Sequence, residues 1–159
     1  MKLPSAAFSG LRKQWLKLAV QLVDADTTNA KGHVTKYGGK LALHFLSTKD
    51  TAKFDKYLAM VKKHDPKAAT NIEIEAELMK LQQGARRDPA GTLTKLKALL
   101  GRGATGEALQ KIHWMLAGMT FRSDKAAAKV HLEKALAAAP NSEIGKQIPN
   151  ILKRAFKGH

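Results

Sequence analysis

Three places in this chain carry residue types that could do chemistry. Six histidines, His33, His44, His64, His113, His131 and His159, are the candidate metal ligands. None stands in an HxxxH or HExxH spacing, and none falls within a helical turn of a suitable acid pair, so no metal site is predicted. Glu73, Glu75 and Glu77 form the one acidic cluster, with Glu73 and Glu77 on a common helical face. Paired carboxylates can serve acid–base work, but such a run is ordinarily a solvated face. The third place is Gly101-Arg102-Gly103-Ala104-Thr105-Gly106, three glycines and an arginine ahead of a helix. A phosphate could rest at that helix N-terminus. No strand precedes it, however, and it lacks the Gly-Lys-Ser/Thr ending of a P-loop, so it reads as a turn. The chain contains no Cys, which removes disulfides, thiol catalysis and Cys-ligated metals. No nucleophile, base and orienting group can be assembled, and the expectation is a non-catalytic protein that needs no cofactor.

The elements that would position these residues are all helical. Phe8, Leu11, Trp15, Leu18 and Leu22 recur at spacings of three and four, one stripe of an amphipathic helix. Asp24 to Lys31 is turn chemistry. From there the punctuation has a period of 37 residues, giving blocks 30–66, 67–103 and 104–140 that each divide near the middle. Blocks one and three close on Pro66 and Pro140, and block two on Gly101 to Gly103. Asp65-Pro66 stops one helix, because the residue before proline is pushed out of the α region. Asp88-Pro89 opens another as N-cap plus first-turn proline. Gly38-Gly39 lies inside a helix and marks a close approach, and Pro149 should kink the last helix. Helix pairs of this length cannot bury their apolar faces alone, so neighbours must stack. The predicted core includes Leu41, Leu58, Leu78, Leu96, Ile112, Leu116, Leu132 and Ile148. The expectation is one all-α domain over 1–159. An N-terminal helix (1–29) and a C-terminal capping helix (141–159) would flank three helix pairs; an ordinary eight-helix bundle is the alternative.

The net charge of +15 and pI near 10.1 favour an acidic partner, nucleic acid or an anionic surface. Lysine outnumbers arginine 22 to 6, which suits diffuse electrostatics better than bidentate base readout. No run approaches the ~18 apolar residues of a membrane span, and none resembles a secretory signal, so the first expectation is a cytoplasmic protein. Residues 1–23 carry Arg12, Lys13, Lys17, Ser5 and Ser9 with no acid, a composition that also fits an amphipathic organellar presequence. A trimmed exported chain, or a helical module cut from a larger secreted or membrane-bound protein, would read the same way.

Block three resembles a tetratricopeptide repeat. Ala128, Leu132, Ala135 and Pro140 stand at the offsets of that family's second-helix small residue, aromatic, alanine and terminal proline, and Leu116-Ala117 is similar to its Leu-Gly pair. Trp114 lies two residues before Leu116 where the family's Trp lies three before, Leu132 replaces the aromatic, and the period is longer than the family's. The resemblance covers about a quarter of the chain; blocks one and two match only in cadence. It implies a right-handed α-α superhelix that binds a peptide or protein segment along the first helix of each pair. Carried over from Leu116, the groove positions are Lys111, Trp114, Gly118, Phe121 and Arg122 in block three. They are Tyr37, Lys40 and His44 in block one, and Ile74, Glu77 and Leu81 in block two. Basic and aromatic side chains interleave there, which suits an acidic segment. The competing placement puts Trp114, Phe121 and Tyr37 in the core. A basic helical protein that holds nucleic acid or ribosome by non-specific electrostatics is the alternative from another class.

Overall fold

The computed structural model describes residues 5–156, with side chains from residue 9 onward. Phe8 and His159 therefore lie outside the described side chains. Eight α-helices and no strand occur among the described residues: an all-α protein. None of the described helices is long and apolar enough to cross a membrane. The chain divides into two compact units, Met1–Ile72 and Glu73–His159, and the boundary falls within α4 (Pro66–Gly84).

Unit 1 holds α1 (Ser5–Asp24), α2 (Gly39–Ser47), α3 (Thr51–His64) and the start of α4. The turn between α1 and α2 is fixed by a buried carboxylate: Asp26 accepts from the backbone N–H of His33 at 3.0 Å and of Lys31 at 3.1 Å. Burial alone would raise its pKa, but those backbone donors outweigh that cost and hold it below the usual carboxylate value. Asn29 and Gly32 supply the left-handed backbone this turn needs. A single π-helical turn, Val34–Gly38, then runs straight into α2. A Cβ on Gly38 would lie 2.8 Å from Val61 and one on Gly39 3.1 Å from Ile72, so the glycine pair does mark close packing. Asp50 caps α3 through Lys53 N–H, and Asp65 ends α3 while its carboxylate accepts from Ala68 in the first turn of α4. The core gathers Val23, Val34, Leu41, Phe45, Tyr57 and Val61. Leu58 is packed against it but only partly buried, short of the full burial expected.

Unit 2 holds the rest of α4 with α5 (Pro89–Leu100), α6 (Gly106–Thr120), α7 (Lys125–Ala138) and α8 (Glu143–Ala155). Sequence neighbours pack on one another, α5 on α6, α6 on α7 and α7 on α8, and the α6–α7 pair is the most extensive. Asp88, Asp124 and Ser142 cap α5, α7 and α8 by accepting from Gly91, Ala127 and Gly145. The other predicted core residues of this unit, Leu78, Leu96, Ile112, Leu116, Leu132 and Ile148, are buried as expected. Gln110 was not anticipated. Wholly buried on α6, its amide donates to the α7 C-terminal carbonyls of Ala135 (3.0 Å) and Ala139 (2.8 Å) and its oxygen accepts from Ser142. One side chain thus satisfies otherwise open carbonyls and ties three helices together. α8 continues as helix through Pro149.

Candidate functional site

The predicted groove residues fall into different environments. Ile74 is wholly buried in the core of unit 2, so its assignment to a groove is corrected. The register carried from Leu116 fails there because α4 has no single apolar stripe. Ile72, Ile74, Ala76 and Leu78 are all buried, which at about 100° per residue covers more than one side of the helix. Leu81 is partly buried against the same core. Glu77 pairs with Arg102, which also lies 3.6 Å from Glu73, and Lys111 pairs with Glu75. The acidic cluster is therefore a partner for cations of its own unit. Tyr37 is half-buried beside the unit 1 core, with Lys36 Nζ 5.2 Å from its ring.

The remaining positions, Arg122 apart, line two concavities. In unit 2, Trp114, Gly118 and Phe121 meet Ala117, Leu132 and Ile151 around an open, almost wholly apolar cavity of 200 Å³. Trp114 is neither core nor fully exposed; it packs against the α7–α8 cluster while forming one wall of this cavity. Phe121 is held edge-on by Phe156, with ring centroids 5.8 Å apart. Arg122, next in sequence, is exposed. In unit 1, Lys40 and His44 join Arg12, Trp15 and Ser47 around a half-open depression of 340 Å³ floored by Leu16 and Leu43. The contribution of Arg12 and Trp15 was not foreseen, because the register argument considered only first helices of repeat pairs.

A second unforeseen arrangement is a histidine pair. His113 on α6 and His131 on α7 bring their Nδ1 atoms to 3.0 Å, with rings tilted at 5.2 Å between centroids. Burial, then His131 and Lys134, push the His113 pKa down to about 4. Burial, Lys134 and Lys97 lower that of His131. Both imidazoles are thus neutral near pH 7, one donating to the other. No group of three or more metal-ligating side chains occurs among the described residues.

The charge balance has a structural cause. Asp50, Asp65, Asp88 and Asp124 cap helices, and Asp26 pins a turn. Asp24 accepts from Lys56 at 2.9 Å and Tyr57 at 3.1 Å, and burial followed by that carboxylate raises the Tyr57 pKa to about 12. Glu73, Glu75, Glu77 and Glu143 pair with cations of the chain. The fold thus uses most of its carboxylates internally, and the surplus of positive charge faces outward. No protein family, curated protein sequence or solved structure matches this chain.

Proposed function

We propose that this protein is a non-catalytic, tetratricopeptide-like helical module that holds an acidic polypeptide segment. The Trp114–Phe121 cavity carries the reading. It is an open apolar socket with two aromatics in its lining, in a molecule whose cations outnumber its acids 28 to 13. Trp is enriched among residues that supply binding energy once a partner buries them. A single apolar side chain of the segment would enter the socket, and its carboxylates would meet exposed cations such as Arg122, next to Phe121 in the chain. The segment's charge would set encounter rate and orientation, and the socket residue would set most of the affinity.

A labelled glutamate-rich peptide with one central leucine tests this, with Trp114 emission followed in a Trp15→Phe background. Binding should shift the Trp114 emission, and Trp114→Ala, or leucine to serine in the peptide, should weaken binding, read from the peptide's label, at least about tenfold. No binding at low salt, or binding indifferent to both changes, would sink the proposal. A single-stranded oligonucleotide that binds more tightly than the peptide at ~150 mM salt would favour the nucleic-acid reading instead.

A further inference from the structure

From Ser9 to Trp15, α1 is a helix without cover. Every residue from Ser9 to Trp15 is exposed, and among the described side chains the helix meets the unit 1 core through Leu16, Ala19, Val20 and Val23. On the uncovered side stand Leu11, 60 % exposed, Trp15, 39 %, and Leu18, 54 %, spaced four and three apart and therefore on one face. They are three of the four large apolar side chains that stand most exposed among the described residues; Val130 in unit 2 is the other. Arg12 borders this face, Lys13 and Lys17 stand on the other side of the same helix, and no acid precedes Asp24. Beside Trp15 opens the depression that brings together Arg12, Lys40 and His44, and no carboxylate lines it.

We propose that this face of α1 seats on an anionic phospholipid surface, with Leu11, Trp15 and Leu18 in the headgroup–acyl boundary and the depression taking a lipid phosphate. Three features select that occupant. The charge beside the face, Arg12 and Lys40 next to Trp15, is of one sign, complementary to anionic lipid, and each cation near such a surface adds to its attraction. The apolar side chains stand exposed along one face of α1. An amphipathic helix face of this kind enters a bilayer interface to about 5–10 Å. Trp at the centre of the stripe suits the headgroup level, where an amphipathic ring is favoured. Nucleic acid would satisfy Arg12 and the lysines but leave both leucines in water. The site is separate from the Trp114 socket and does not depend on it.

The experiment is co-sedimentation of the full chain with large vesicles of phosphatidylcholine alone and of phosphatidylcholine with 30 mol% phosphatidylglycerol, at about 0.1 M salt. Trp15 emission is read in a Trp114→Phe background. The protein should sediment with the phosphatidylglycerol vesicles and not with phosphatidylcholine alone, with a blue shift of Trp15. Leu11→Ser with Leu18→Ser, both exposed and so harmless to the core, should lower partitioning at least about tenfold. Arg12→Glu with Lys40→Glu should lower it by a similar factor. Circular dichroism would confirm that each variant stays folded. No association with the anionic vesicles overturns the proposal. So does association that the leucine variants leave unchanged, since that would be bulk charge alone. An unshifted Trp15 on the vesicles, with a shift on adding a soluble glutamate-rich peptide, would overturn it in favour of an acidic polypeptide. Inorganic phosphate that shifts Trp15 while vesicles do not would reduce the depression to an anion site and also overturn it.

Discussion

Gly145 sits where α8 begins against the end of α7, and its hydrogen is all that fits. A Cβ there would stand 2.3 Å from the carbonyl oxygen of Ala139 and 2.5 Å from that of Pro140, both backbone atoms that cannot swing away. The same turn holds the Ser142 cap and the Gln110 bonds, so a shift would strain all of them. Gly145→Ala should therefore destabilise the protein by at least about 2 kcal/mol, read as a lowered denaturant midpoint with an unchanged slope. A loss under about 0.5 kcal/mol would mean the turn relaxes at little cost. Nothing in the sequence marks Gly145 as special, because the obstacle is the backbone of the turn that follows α7. Individual caps such as Asp88 before Pro89 were legible, since donor and acceptor lie three residues apart. Trp114 was legible only as a choice between core and groove. Its real position, packed on one side and open on the other, depends on how α8 closes over α7.

At the scale of elements, helix positions and many boundaries could be read from apolar spacing and from Pro, Gly and Asp punctuation, which are local signals. What crosses between helices could not. His113 and His131 are 18 residues apart on separate helices, and no spacing rule along the chain brings their rings together. This pair gives the α6–α7 packing a pH dependence. His113 is 6 % exposed, and burial, His131 and Lys134 oppose its protonation; burial, Lys134 and Lys97 oppose that of His131. The folded pKa of His113, about 4, lies below the ordinary value of 6.5, so the unfolded chain binds protons first as pH falls. Stability is full above pH 6.5 and is lost progressively down to about pH 4. A drop of about 2–3 kcal/mol between pH 7 and 4.5 follows from about 1.4 kcal/mol per pKa unit. Chemical denaturation at the two pH values measures it, and His113→Gln should remove most of the difference. The carboxylates whose pKa is lowered, Asp26 and Asp50, lose their contribution at lower pH still and so do not account for this window. A curve flat from pH 7 to 5 would show that the pair is protonated at little cost.

For the molecule as a whole, composition reported the size of the positive charge but not why it faces outward. The reason is structural: acids are consumed as caps, a turn anchor and internal ion pairs, while most lysines stand exposed along the helices. Two electrostatic effects then compete when salt is added. Surface pairs such as Lys53–Asp50 and Lys146–Glu143 are weakened, but exposed pairs of this kind contribute about 0–1 kcal/mol each. Self-repulsion of a chain carrying +15 is relieved at the same time, since the screening length falls to roughly 8 Å at physiological ionic strength. Repulsion involves every cation, whereas the pairs are few and short-ranged, so relief should win. Raising sodium chloride from ~20 to ~300 mM should then increase Tm by several degrees, each kcal/mol being worth about 2–4 °C at this size. Thermal melts followed by circular dichroism decide it. A Tm that falls with salt would mean the internal ion pairs of Arg102 and Lys111 with the glutamates of α4 outweigh the repulsion, and the surplus charge would then cost the fold little. A rise would mean the protein keeps its cations at a cost in stability, as expected of a surface whose charge is there for an anionic partner.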